Sequence, residues 1–172
     1  YWQVEKDNVV CGVGSDQLID SILKVFLEPG DGVLIPTPSF SMYKLSTILN
    51  RGVARDFSLN EDYSYHIEEM IALYHKNKPK YVFLCTPNNP TGSTISITDM
   101  EKLLQVMKCP VVIDEAYGEF IKDTMIDKIS QYENIIVLKT FSKAYGLAGL
   151  RVGYGIASKK MIDAINIVIP PY

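Results

Sequence analysis

The sequence predicts an α/β protein, a three-layer α-β-α sandwich around a mostly parallel seven-stranded sheet. Two observations carry this. Short β-branched apolar runs alternate with segments of helical period, and that alternation is what a largely parallel sheet covered on both faces by helices produces. The chain of 172 residues, 47% hydrophobic and 22% charged, is also long enough for one domain with a sizeable core. No internal repeat, low-complexity tract or flexible linker divides it.

The first strand is expected near Val9 to Gly12. A helix over Asp16 to Leu27 follows, with Leu18, Ile19, Ile22, Leu23 and Phe26 on one stripe and a stop at Pro29-Gly30-Asp31. Strand Gly32 to Ile35 leads into helix Ser41 to Leu49, and strand Val53 to Phe57 into helix Ile67 to His75. Strand Tyr81 to Cys85 precedes helix Thr98 to Met107, with Thr98 read as N-cap and Glu101 as its capping-box partner. Strands Val111 to Asp114, Ile135 to Leu138 and Val152 to Ala157 complete the sheet, and Lys159 to Ile169 reads as the last helix. The chain opens without methionine and runs out at Ile169-Pro-Pro-Tyr172, an extended end that reads as a connection, so a piece of a longer protein is expected.

Composition narrows the function classes. The net charge is only -3, and the densest basic group, Lys76, Lys78 and Lys80, falls between a helix and a strand, where a solvated turn explains it without nucleic acid. Cys11, Cys85 and Cys109 are odd in number, far apart and each at or inside an apolar run, which predicts buried reduced thiols and a cytoplasmic setting. With two histidines and no His/Cys cluster at ligand spacing, no metal site is expected. No apolar stretch reaches the roughly twenty residues that span a bilayer, and the opening residues do not resemble a secretory signal, so no membrane partner is expected.

In open parallel sheets, ligands bind beyond the carboxyl ends of the strands, and five polar clusters fall there. Gly12-Val-Gly14-Ser15-Asp16 follows the first strand, so the Ser15 and Asp16 amides and the Ser15 hydroxyl could receive a phosphate at a positive helix end. Ser15 as an ordinary N-cap is the plain alternative. A dinucleotide fingerprint would need glycine at Gln17, which weakens a nicotinamide dehydrogenase reading. Phe40, in Pro38-Ser-Phe-Ser-Met-Tyr43, could lie against a flat electron-poor ring, or simply be core. Pro87-Asn88-Asn89-Pro90-Thr91-Gly92 offers the Asn89 amide to a phenolate oxygen. Val111-Val-Ile-Asp114 runs an apolar strand into an acid, which at a buried end needs a cationic partner; a helix N-cap or a magnesium ligand are the alternatives. Tyr117 stands three residues on, within reach of the same phenolic oxygen.

Thr140-Phe-Ser142-Lys143-Ala-Tyr-Gly-Leu-Ala-Gly-Leu-Arg151 is the most informative cluster. Lys143 can form a Schiff base with a carbonyl compound, while Thr140, Ser142 and Arg151 can hold a phosphate on the same compound. Pyridoxal 5'-phosphate carries both groups. It also needs an acid at its pyridine nitrogen, donors at its phenolic oxygen and an aromatic over its ring, and the chain has a candidate for each.

Taken in order, these clusters resemble the large domain of the fold-type I pyridoxal-phosphate aminotransferases. Asp114-Glu-Ala-Tyr-Gly-Glu-Phe120 and Ser142-Lys-Ala-Tyr-Gly-Leu-Ala-Gly-Leu-Arg-Val-Gly-Tyr154 are most similar to the histidinol-phosphate aminotransferase group. The resemblance implies that Lys143 anchors the cofactor and shuttles the α-proton, that Asp114 pairs with the pyridine nitrogen, and that Asn89 and Tyr117 hold the phenolic oxygen. Phosphate would be gripped by the Ser15 and Asp16 amides, Ser142 and Arg151, with Thr140 beside them. Phe40 stands where this family often has tyrosine, and Gly118 where a bulkier residue is usual, which puts close packing there in question. The implied reaction is transamination of an amino donor such as L-histidinol phosphate with 2-oxoglutarate, in a homodimer. A threonine-phosphate decarboxylase or another class I or II aminotransferase of the same fold, and, from a different class, a non-catalytic fragment or a nicotinamide dehydrogenase, are the alternatives. The resemblance further implies an antiparallel last strand in the sheet. Residues 1–172 would be the cofactor-binding large domain, without the N-terminal arm and C-terminal small domain of the family, so weak activity is expected of this piece.

Overall fold

The structure, a computed structural model, describes residues 2–169. The expectation of an extended proline-rich end at 170–172 therefore lies outside the described residues. Seven strands form one sheet in the order β1-β7-β6-β5-β4-β2-β3: β1 (Val9–Val13), β2 (Gly32–Thr37), β3 (Val53–Ser58), β4 (Tyr81–Cys85), β5 (Val111–Asp114), β6 (Ile135–Thr140) and β7 (Val152–Ala157). β3, β2, β4, β5 and β6 run parallel, and β7 is antiparallel to both β6 and β1, as the resemblance implies. Among the described residues, five helices cover the sheet: α1 (Gly14–Phe26), α2 (Met42–Leu49), α3 (Ile67–Asn77), α4 (Ile97–Val106) and α5 (Lys159–Asn166). Every expected strand and helix is present within a few residues. Four short 3-10 turns that the sequence did not signal lie at 6–8, 118–120, 126–128 and 148–150.

Strand alternation divides the core in two. Val33, Ile35, Tyr81, Phe83, Val112, Ile136 and Leu138 face α1, α2 and α5. Leu34, Val82, Leu84, Val111, Ile113, Ile135 and Val137 face α3 and α4. Because β4, β5 and β6 bury every residue, both faces must be apolar, and their sequences are unbroken runs of Val, Ile, Leu and aromatic residues until the strand ends. The same alternation places the two polar ends: Asp114 shares a side with Val112, and Thr140 with Leu138, whereas Lys139 shares the opposite side with Val137.

Three expectations are corrected. The N-cap of α4 is Ser96 rather than Thr98: the Asp99 amide donates to Ser96 Oγ (3.1 Å), and Ser96 Oγ donates back to the Asp99 carboxylate (2.8 Å). The side-chain cap thus lies two residues earlier than expected, which satisfies the helix start and leaves Glu101 to pair with Lys128 at 2.8 Å. Cys11 is exposed, because it points outward from the edge strand β1, while Cys85 is buried and Cys109 half-buried; all three are free. Gly118 packs closely: a Cβ there would come within 2.7 Å of Lys139 Nζ and 3.0 Å of Glu115 Cβ. Lys76, Lys78 and Lys80 are exposed, as expected of a solvated turn.

Candidate active site

Strand order fixes where a ligand can bind. The chain leaves β2 outward to β3 and returns past β2 to β4, so the connections after β2 and β4 diverge and leave a crevice at their carboxyl ends. Phe40 follows β2 and Asn89 follows β4. Asp114 closes β5, Thr140 closes β6, and Ser142 and Lys143 lie in the loop beyond. Ser15 and Asp16 open α1 on the same side, and Arg151 immediately precedes β7. All ten sequence-predicted residues, Tyr117 included, line one cleft, together with Gly14, Tyr43, Cys85 and Ala116.

Asp114 forms the floor. It is buried (3% exposed), with Oδ2 accepting from the Tyr43 hydroxyl at 2.6 Å and Oδ1 from the Ala116 amide at 2.9 Å. Burial pushes its carboxyl above the ordinary value, against the pull of those two hydrogen bonds. Both donors are neutral, so the carboxylate is oriented without being neutralised. Sequence reasoning missed Tyr43, although it lies three residues beyond Phe40 in the same Pro-Ser-Phe-Ser-Met-Tyr stretch, at a spacing that puts both on one side of a helical turn.

The opposite end of the cleft is built around Gly14 and Arg151. Gly14 has φ +73°, in the left-handed region, and the place a Cβ would take there is within 2.6 Å of the Arg151 guanidinium. Glycine thus lets Arg151 lie against the first turn of α1, whose Ser15 and Asp16 amides fall where a helix has no preceding carbonyl to bond. Arg151 itself has φ 50°, and its carbonyl accepts from the Gly14 amide at 2.9 Å, which ties the two segments together. Its guanidinium rests 3.5 Å from the Asp16 carboxylate. Ser15 is not a side-chain N-cap, since Val13 occupies that position and the chain makes no side-chain cap there. Thr140 shapes the turn that carries Lys143, because its hydroxyl donates to the Val152 carbonyl (3.4 Å) and accepts from the Ser142 amide (3.1 Å).

Between these ends lie the groups that would meet a ring. Lys143 is exposed and its Nζ stands 5.3 Å from the centre of the Tyr117 ring. Phe40 is half-buried, with its ring edge-on to Tyr43 (centroids 5.6 Å, planes 82° apart). Asn88 and Asn89 divide the work of their turn. Asn88 accepts from Ser39 Oγ (2.6 Å) and donates to the Pro38 carbonyl (2.9 Å) and Thr91 Oγ1 (2.7 Å), which joins the β2 and β4 connections. Asn89 lines the cleft. The Cys85 thiol is pushed up to about 12 by burial, so it lines the wall as a neutral thiol rather than a nucleophile.

Behind the site, on the other face of the sheet, Lys139 is fully buried between Glu115 (3.4 Å) and Glu119 (3.0 Å), with the Trp2 ring 4.8 Å from Nζ. The Glu119 oxygen lies within ion-pair distance but outside hydrogen-bonding geometry, so neither Glu119 oxygen has a hydrogen-bond partner among the described residues. Glu115 also accepts from the Met125 amide (2.7 Å) and Thr124 Oγ1 (2.7 Å). This cluster clamps the ends of β5 and β6, from which Asp114 and Lys143 project.

The sequence profile described as aminotransferase class I and II matches residues 1–172. Among curated proteins, the chain is 49% identical to the histidinol-phosphate aminotransferase of Ruminiclostridium cellulolyticum, over 100% of this chain and 49% of that protein. It is 39% identical to that of Methanocaldococcus jannaschii, over 99% of this chain and 47% of that protein. The chain therefore spans about half the length of the curated relatives it matches. Among solved structures, histidinol-phosphate aminotransferase from Sinorhizobium meliloti in complex with pyridoxal-5'-phosphate superposes with a TM-score of 0.89 at 26% identity, covering 95% of this chain and 45% of that one. A putative histidinol-phosphate aminotransferase from Erwinia carotovora superposes at 0.91 and 27% identity, over 98% of this chain and 51% of that one. A cleft with a buried acid at one end and an arginine against a helix start at the other, in a chain matched from end to end, has one reading: the chain belongs to the aminotransferase class I and II family.

Proposed function

We propose that residues 1–172 form the cofactor-binding large domain of a pyridoxal-phosphate-dependent aminotransferase that takes L-histidinol phosphate and 2-oxoglutarate to imidazole acetol phosphate and L-glutamate. One observation carries the reading: a buried carboxylate with only neutral donors, Asp114, shares a cleft with an exposed lysine and a guanidinium-lined helix start. The residues fit the cofactor on two counts. Asp114 lacks the cation its burial calls for, which a protonated pyridine nitrogen supplies. The Gly14 hollow, which a Cβ would fill, admits Arg151 beside the α1 amides, as a phosphate requires.

When bound, the cofactor supplies an electron sink for the bond broken at the substrate's α-carbon. The protein's own share follows from position. Lys143 Nζ would bind the cofactor aldehyde and is the base placed to move the α-proton. Asp114 would face the ring nitrogen and favour its protonated form. Asn89 and Tyr117 donate to the phenolic oxygen, and Phe40 offers a ring face. Ser15, Asp16, Ser142 and Arg151 bind phosphate, and Thr140 holds the turn that presents Ser142. The 49% identity over the whole chain favours histidinol phosphate as donor. A homodimer fits the exposed Leu147 and Leu150 in the loop that carries Lys143. A cytoplasmic setting fits the three free cysteines.

The test is an absorbance titration with pyridoxal phosphate, then borohydride reduction and peptide mapping. A reduced adduct confined to Lys143 is expected; an adduct spread over the surface lysines would contradict the reading. Turnover of L-histidinol phosphate is expected to be far weaker for these 172 residues than for a form as long as the relatives. Equal rates would refute the domain assignment, and carbon dioxide release from threonine phosphate would replace the substrate assignment by the decarboxylase.

A further inference from the structure

We propose that Tyr43 is a positioning residue for the cofactor's ring nitrogen, acting through Asp114; the inference rests on the pyridoxal-phosphate reading above. Three contacts hold Tyr43 in place. It is fully buried, and its ring stacks on Phe83 with centroids 4.8 Å apart and planes 15° from parallel. Its carbonyl accepts from Thr47 Oγ1 at 2.7 Å within α2. Its hydroxyl donates to Asp114 Oδ2 at 2.6 Å, a distance typical of a hydroxyl bonded to an ionised carboxylate.

That hydroxyl and the Ala116 amide take one Asp114 oxygen each, so the carboxyl plane is fixed before any ligand arrives. Burial, and after it the charge of Asp114, push the Tyr43 phenol well above its usual value, so it remains a donor at every working pH. The same ring is the surface against which Phe40 stands edge-on. One side chain in the first turn of α2 thus orients the acid at the ring nitrogen and braces the aromatic expected over the ring. β2 and β5 are separated in the sheet by β4, and Tyr43 spans that gap.

A core residue that only fills space would affect any cofactor equally, whereas an orienting residue would affect only a cofactor with a nitrogen for Asp114 to meet. The experiment is the affinity of the purified protein for pyridoxal phosphate and for its analogue with carbon in place of the ring nitrogen, read by absorbance and by reductive trapping at Lys143. Tyr43→Phe keeps the stack on Phe83 and removes one hydrogen bond to a charged group. It is expected to lower the preference for pyridoxal phosphate over the carbon analogue by about tenfold or more, with affinity for the analogue changed less than about twofold. Placing 3-fluorotyrosine at position 43 keeps shape and fold while strengthening the donor, and is expected to move the same preference away from the parent value. A preference unchanged in both proteins, or equal loss for both cofactors, would overturn the proposal. Absence of any trapped adduct in the parent would instead overturn the cofactor reading, and this inference with it.

Discussion

Lys139 and Lys143 lie four residues apart and do opposite jobs, because strand alternation turns the first into the layer beneath α3 and α4 while the second stands beyond the strand in an exposed loop. Lys139 is the only cation among the described residues set between Glu115 and Glu119. Removing it leaves two buried carboxylates without a counter-cation, so Lys139→Met is expected to cost about 3–5 kcal/mol in urea unfolding. Lys143→Ala removes an exposed side chain and is expected to stay within about 0.5 kcal/mol of the parent while abolishing cofactor trapping. Unfolding free energies that rank the two variants the other way would contradict both assignments. The Lys139 cluster also explains Gly118, whose missing Cβ is the space that Nζ approaches. Nothing local in Asp-Glu-Ala-Tyr-Gly signals that need, because the lysine arrives from another strand.

At the scale of elements, the first turn of α1 approaches β7 backbone to backbone at Gly153. A Cβ on Gly153 would lie within 2.5 Å of Gly14 C and closer still to Ser15 N, so neither neighbour can yield by changing rotamer. Gly153→Ala is therefore expected to cost about 1–3 kcal/mol, the range for overpacking, and to weaken phosphate binding by displacing the Ser15 amide. A variant stable as the parent, with unchanged affinity for pyridoxal phosphate, would rule out this seat. The start of α4 gives a milder test. Ser96→Ala is expected to cost about 1 kcal/mol and Thr98→Ala only a few tenths, since Ser96 receives the Asp99 amide. Thermal midpoints reversed between the two would restore Thr98 as the cap. Both candidates were legible, as Ser-x-x-Asp and Thr-x-x-Glu stand two residues apart, and the choice between them is made by where the connection from Ile95 enters the core. The strands were legible for a stronger reason. β4, β5 and β6 are buried on both faces, so their runs are apolar throughout and their polar ends stand out. Asn89, Asp114, Thr140, Ser142 and Lys143 were found because they sit in or just beyond such ends, whereas Ser15, Asp16, Phe40 and Arg151 were found from the Gly-Ser, Pro-Ser-Phe and Gly-Leu-Arg clusters beside β1, β2 and β7. Tyr43 was not, since its partner is set by strand order, which places β5 two strands from β2. The 3-10 turn at 118–120 escaped notice for a similar reason: it follows from the Glu115 carbonyl accepting the Gly118 amide and from the Lys139 cluster, not from propensity.

The molecule as a whole carries its site at a cost to stability that should be visible in its pH profile. Burial raises the carboxyls of both Asp114 and Glu115 above their ordinary values. A carboxyl raised in the native state holds its proton where the unfolded chain has released it. Its contribution is therefore complete below the ordinary carboxylate range, about pH 4, and is lost as pH rises through the raised native value. Exposed Asp62 and half-buried Asp99, lowered by hydrogen bonds from Ser64 and from Lys102 and Ser96 respectively, act in the opposite sense and lose their contributions as pH falls. A single substitution separates the two trends. Asp114→Asn removes the buried charge while keeping its contacts: the amide oxygen can accept from the Ala116 amide, and the amide NH2 can donate to the Tyr43 hydroxyl, which rotates to accept. Without cofactor, the Asn protein is expected to unfold at a higher temperature than the parent near neutral pH, and the gap is expected to close as pH falls toward about 4. Added pyridoxal phosphate should reverse the order at neutral pH, because only the parent offers the ring nitrogen a carboxylate, and a ligand bound by the native state raises its stability. Midpoints recorded across that pH range, with and without cofactor, check both halves. A gap that does not vary with pH would mean Asp114 is not the strained group, and a cofactor that stabilises both proteins equally would mean the ring nitrogen does not meet it.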